Sequence, residues 1–292
     1  MKKKVFIISF FVLVFVSGTN LMQAQNQLVG EWVNSYNSLL KITQQNPDGS
    51  LAGIYSSTTG SSGTYQVTGQ YSINPSNNNV AISLLISWNS LDGSTADPSK
   101  FWTSAMNGTL YSGQNSIELI NCISAPTPFG AVQIDEPGIY PESLTFNRRT
   151  SSNLRFENNL NSQAENRAAP SPITGTWNLS DGSQSLYTRL VLNSSGGTRF
   201  DILSGTVKVR GIQTPIAITG IISHQTSDNK YSLSFTVKNP ILLSGQDRYI
   251  IGFTGLLDVA NNDLRLVNME TRAVGYNVKY NSVRMNQSSY AK

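Results

Sequence analysis

Short runs of alternating apolar and polar residues recur along most of the chain, separated by clusters of turn formers. Such clusters are Asn46-Pro47-Asp48-Gly49, Gly60-Ser61-Ser62-Gly63, Asn74-Pro75-Ser76-Asn77 and Ser112-Gly113-Gln114-Asn115. Alternation at period two, bounded by Gly, Asn, Asp and Pro, is the pattern of half-buried antiparallel strands. No segment sustains the 3.6-residue period of a helix. The first half predicts strands at about 28–35, 38–45, 51–58, 64–73, 79–89, 101–111, 115–123 and 139–147.

Residues 149–171 lose the alternation. They are rich in Asn, Ser, Glu and Arg and end in Ala168-Ala169-Pro170-Ser171-Pro172, which reads as a flexible, solvated linker. The pattern then restarts: Ile173-Thr174-Gly175-Thr176-Trp177-Asn178 echoes Leu28-Val29-Gly30-Glu31-Trp32-Val33-Asn34. Further strands are predicted at about 185–193, 198–210, 213–223, 230–239, 247–257, 262–269 and 274–284. The expected fold is all-β, with two tandem eight-stranded antiparallel up-and-down barrels over residues 26–148 and 172–286, the second a degenerate copy. Closure removes exposed sheet edges and leaves room for side chains or one small ligand.

Ahead of the barrels, Met1-Lys2-Lys3-Lys4 is followed by an apolar run from Val5 to Val16 and a polar stretch to Gln25. A basic start, a short apolar core and a small residue before polar sequence predict a signal peptide over residues 1–25. The run is short of the roughly 20 residues that span a bilayer. The expectation is a secreted or periplasmic protein with no membrane insertion after cleavage. Cleavage removes three of 21 basic residues and none of 17 acidic ones, so the mature chain is nearly neutral. That argues against a nucleic-acid partner, whose phosphates require clustered Lys and Arg.

One cysteine, Cys122, excludes an intramolecular disulfide. General acid–base and nucleophilic chemistry commonly need a His, a Cys or converging carboxylates. The sole histidine, His224, sits near a turn and reads as solvated, and Asp135-Glu136 form a loop pair. The chain is therefore expected not to be an enzyme and to hold neither metal nor cofactor.

The first half resembles the avidin and streptavidin family over about residues 27–148. The resemblance is carried by Leu28 to Asn34 with Ser38, by Gly53-Ile54-Tyr55-Ser56-Ser57, and by Tyr65 to Tyr71. Ile86-Ser87-Trp88 and the segment from Trp102 to Gly108 extend it. It implies a biotin ligand whose ureido oxygen is met by Asn34, Ser38 and Tyr55. Ser57 would accept one ureido N–H, and the loop holding Thr59, Gly60 and Ser61 would be a lid. Trp88 would wall the apolar part of biotin, and Ser104 would approach its sulfur. The family's further tryptophans fall on Met106 and Asn121, with Trp102 on the same face as Met106. Its acid, two residues before a Phe, falls on Leu144 before Phe146. The polar contacts are kept and the apolar box is eroded, which implies weaker binding, another small molecule, or a role in assembly. Asn34, Ser38 and Ser57 each read singly as solvated strand ends, and Tyr55 and Trp88 as core; their joint spacing makes the site. The resemblance also implies a homo-oligomer, or the two barrels pairing within one chain.

Overall fold

A computed structural model describes residues 27–93, 97–149, 171–182, 185–197, 199–224, 226–238, 241–242, 248–274 and 283–292. The expected signal peptide and nearly all of the expected linker lie outside the described residues. The first barrel is built from β1 (Gly30–Val33), β2 (Leu39–Gln45), β3 (Ser50–Ser57), β4 (Gly63–Ile73), β5 (Val80–Ser87), β6 (Thr103–Leu110), β7 (Ser116–Ala125) and β8 (Gly138–Arg148). Each strand pairs antiparallel with the next, and β1 pairs with β8 to close the ring. Two short 3-10 turns, Pro98–Phe101 and Gly130–Val132, interrupt the loops before β6 and β8.

The second barrel comprises β9 (Gly175–Leu179), β10 (Tyr187–Ser195), β11 (Asp201–Val209), β12 (Ile216–Ile222), β13 (Lys230–Val237), β14 (Ile241–Leu242), β15 (Arg248–Asp258), β16 (Asp263–Arg272) and β17 (Val283–Ala291). β13 pairs with β15 and β17 with β9, closing eight strands, while the two-residue β14 lies on β15. The sequence pattern set a last strand at 274–284 and a domain end at 286. Residues 275–282 lie outside the described residues, and the strand that closes the barrel runs to Ala291, pairing Tyr290 and Ala291 with Leu179 and Asn178 of β9 and burying Tyr290 in the core.

The duplication holds at atomic detail. Trp32 and Trp177 are both buried, and each indole N–H donates to the carbonyl four residues back, Leu28 at 2.9 Å and Ile173 at 2.7 Å. A cation from the end of the chain segment caps each ring: Arg148 at 4.0 Å from the Trp32 ring and the Lys292 ammonium at 5.0 Å from that of Trp177. Each strand's inward residues then fill a separate core, from Leu28 to Phe146 in one barrel and from Ile173 to Tyr290 in the other.

The two barrels pack side by side. β5 and β6 are buried on both faces, because their outward residues meet the second barrel. Leu85, Ala105 and Cys122 contact Ile221, Val267 and Met269 in one apolar patch, and Ala81 meets Ile250 and Ala273 in another. Polar groups at the contact are matched. Asn107 donates to the Met269 carbonyl and Thr271 hydroxyl, both at 3.2 Å, and Ser124 donates to the Gly255 carbonyl at 2.5 Å. Gly252 has no room for a side chain: a Cβ there would stand 2.1 Å from Asn107 Oδ1.

Candidate functional site

One end of the first barrel gathers the polar residues singled out by sequence. β1 stops at Val33 and the chain turns through Asn37, whose φ of 60° is left-handed, into Ser38 and β2. Asn34 organises this turn: its Oδ1 accepts the backbone N–H groups of Tyr36 and Ser38, each at 3.0 Å. Those two donors fix which amide atom is the oxygen. The nitrogen, Nδ2, is left buried without a hydrogen-bond partner. On β3, Leu51, Gly53, Tyr55 and Ser57 share the buried, inward face. The Tyr55 ring stands edge-on to Trp88, with centroids 5.8 Å apart, and to Phe146 at 6.3 Å. Burial pushes the Tyr55 phenol above its usual range, opposed by the polar side chains of Ser38 and Asn34 beside it. The Ser38 and Asn34 side chains thus lie against the Tyr55 phenol. An unpartnered buried donor costs roughly 1–3 kcal/mol, so Asn34 is poised for an acceptor oxygen that it lacks within the fold.

The remaining residues form walls and rim. Trp88 packs on Tyr65 at 5.0 Å and donates its indole N–H to Ser104 Oγ at 2.7 Å, so Ser104 is held by the wall and keeps its own O–H to give. Met106 is fully buried in the barrel core beneath. Trp102 is pinned at the rim by donating to the carbonyl and hydroxyl oxygens of Thr127, at 3.0 and 2.9 Å, and packs edge-on to Phe129. Ser57 donates to the Thr59 carbonyl at 2.9 Å, which leaves its oxygen lone pairs for an N–H. Thr59 and Gly60 are exposed, whereas Ser61 is buried with its hydroxyl unpartnered. Gly60 has a φ of 66°, and a Cβ there would stand 2.3 Å from Val132, so this loop rests on the turn before β8.

The facing wall carries Glu142, which the sequence reading missed. Asn121 is buried with its Oδ1 unpartnered, and β7–β8 register sets it opposite Glu142. Glu142, Leu144 and Phe146 lie on one face of β8, and the Glu142 carboxylate accepts the Tyr36 hydroxyl at 2.7 Å. Its charge reaches Tyr55, whose phenol it helps to raise. The acid sought at Leu144 therefore has a counterpart one inward position earlier. Asp135 and Glu136 stay in the exposed loop. His224 is half-buried rather than freely solvated, 3.9 Å from Asp201. Cys122 lies between the barrels, and burial pushes its thiol up to about 12, so it is inert.

The counterpart positions in the second barrel have changed. Strand pairing carries Tyr55 onto Val207 and Met106 onto Phe253, while Asn121 falls on Asn268. No curated protein matches the chain. Residues 22–121, from ahead of β1 to within β7, match the family model described as Avidin family. Over those residues the first barrel, a closed ring of eight strands, is similar to the Avidin family.

Proposed function

We propose that the first barrel binds biotin, or a ligand sharing its cyclic urea, and performs no chemistry on it. The observation that carries this reading is the buried, unpartnered Nδ2 of Asn34 beside the hydroxyls of Ser38 and Tyr55. Three fixed donors suit one strongly accepting carbonyl. Ser57 on one side and Asn121 with Glu142 on the other offer acceptors for the two flanking N–H groups. Trp88 and Tyr65 supply an aromatic wall for the apolar ring and chain. Met106 and Asn121, where tryptophans would complete that wall, set an affinity below that of a fully aromatic box.

The reading extends to export: the basic, apolar and polar order of residues 1–25 acts as a leader, and N-terminal sequencing of protein recovered outside the cytoplasm should begin near residue 26. Calorimetric titration of biotin tests the ligand assignment. The expected result is one site per chain, with Tyr55→Phe binding about five- to tenfold more weakly, the effect of losing one hydrogen bond of ~1 kcal/mol. Absence of heat and of thermal stabilisation at millimolar biotin would reject it.

A further inference from the structure

The residues that follow Trp88 are held from both barrels. On the first-barrel side, the Leu91 N–H donates to the Thr64 carbonyl at 2.7 Å, and the Ser90 hydroxyl donates to the same oxygen at 3.2 Å. On the second-barrel side, the Asn89 side-chain amide donates to the Arg199 carbonyl at 3.0 Å, and the Arg199 guanidinium donates to the Leu91 carbonyl at 2.7 Å. Arg199 thus makes a reciprocal pair of bonds with a stretch that begins next to the Trp88 wall. Its own turn, between β10 and β11, is well anchored. The Gly197 N–H donates to Asp201 Oδ1 at 3.2 Å, and His224 Nε2 stands 3.3 Å from the Gly197 carbonyl oxygen. Phe200 packs on the apolar patch between the barrels. The stretch matters to the site because the loop holding Thr59, Gly60 and Ser61 ends against it. A Cβ on Gly63 would stand 2.7 Å from Ser90 Oγ, and the neighbouring Tyr65 hydroxyl donates to the Ser61 carbonyl at 3.1 Å. Ser90 and Ser61 are both buried. Hydrogen bonds and close packing therefore run without a break from Arg199 through Leu91 and Ser90 to Gly63 and Ser61.

We infer that Arg199 of the second barrel is a positioning residue for the ligand site of the first, a role that rests on the ligand reading given above. With Asn89 it braces the stretch against which the Thr59–Ser61 loop closes, and so sets how long a ligand stays. Local opening becomes rarer with each bond it must break, and differences in affinity between related sites lie mostly in the rate of release. The second barrel then takes part in binding without holding ligand itself, although its own counterpart of Tyr55 is Val207. Other bonds between the barrels lie away from this rim. In the turn between β4 and β5, at the far end of β4 from Gly63, the Asn74 side-chain amide donates to the Ala273 carbonyl at 2.9 Å. That bond joins the same two barrels but touches nothing near the Thr59–Ser61 loop, so it separates docking of the barrels from positioning of the rim.

The test combines biotin release kinetics of the full chain with hydrogen exchange of the Leu91 amide in the absence of ligand. Arg199→Ala should speed release about five- to tenfold, as expected for losing one charge-assisted hydrogen bond, with the rate of association little changed. Arg199→Lys, which restores a charged donor, should recover part of that loss. Asn89→Ala should speed release a few-fold, and the double variant should release no more than about twofold faster than Arg199→Ala, because both bonds hold one stretch. Leu91 exchange should rise in Arg199→Ala, and Asn74→Asp should release biotin at the wild-type rate. Failure of the wild type to bind biotin would overturn the ligand reading and the inference with it. Binding with wild-type release in Arg199→Ala, unchanged Leu91 exchange in that variant, or equal acceleration by Asn74→Asp would overturn the inference alone.

Discussion

Replacing Asn34 by Asp changes one atom of the site and almost nothing of the fold. Oδ1 keeps the two backbone N–H groups at 3.0 Å that shape the turn. The unpartnered Nδ2, a donor without an acceptor, becomes a carboxylate oxygen beside the Ser38 and Tyr55 hydroxyls, which can donate to it. The fold should tolerate the exchange to within about 1 kcal/mol. Binding should not. The ligand loses a hydrogen bond of ~1 kcal/mol. It also faces a charge: unit charges ~3 Å apart at an effective dielectric of ~20 interact by about 5 kcal/mol, and a carbonyl's partial charge by roughly half of that. Together these weaken biotin by at least about 3 kcal/mol, or more than a hundredfold. The sign reverses with acid. Once protonated, a carboxyl, whose ordinary value is ~3.9, regains an O–H to donate. Calorimetry of Asn34→Asp should therefore show affinity recovering as pH falls toward ~4, while wild type changes little. Wild-type affinity for the variant at pH 7 would refute the idea that Asn34 donates to the ligand.

Three further outcomes follow from other parts of the molecule. Gly60→Ala introduces a Cβ at a φ of 66° and against Val132, so the lid should seat poorly; about 1 kcal/mol of strain, seen as a several-fold faster biotin off-rate in surface-binding kinetics, is expected. Gly252→Ala drives a methyl into Asn107 and Ser83 across the inter-barrel contact and should lower stability by about 1–3 kcal/mol in thermal melts, with biotin affinity unchanged. Burial raises the phenols of Tyr55 and Tyr187, and that of Tyr290 to about 12, as it does the Cys122 thiol. These groups favour the folded state while neutral in both states. Their contribution is complete below the unfolded values, near ~8.5 for the thiol and ~10 for tyrosine, and is lost as pH rises toward about 12. Denaturant midpoints should fall steeply over that window, and a flat profile would contradict the burial of these groups.

The strand order was legible because a half-buried strand announces itself by alternation, and each loop of the first barrel carries its own turn formers. The polar residues were legible through the family resemblance, and alternation set Tyr55 and Ser57, two residues apart on β3, on one face. Glu142 was missed because an acid was sought beside Phe146, although the same period-two rule places Glu142, Leu144 and Phe146 together. The contact between barrels left a fainter mark. Val80-Ala81-Ile82-Ser83-Leu84-Leu85-Ile86-Ser87 breaks strict alternation with small or apolar residues on its outward face, the composition of a strand buried on both sides. The buried Tyr187–Glu270 pair of the second barrel left none, since its members lie 83 residues apart.

Biotin recognition turns on what meets the Asn34 amide, and a structure of the chain with biotin tests that most directly. It should place the ureido oxygen within hydrogen-bonding distance of Asn34 Nδ2 and the Ser38 and Tyr55 hydroxyls, with one N–H on Ser57 and the other toward Asn121 and Glu142. A first barrel left empty at saturating biotin, or a ligand bound with its ureido ring away from Asn34, would contradict it.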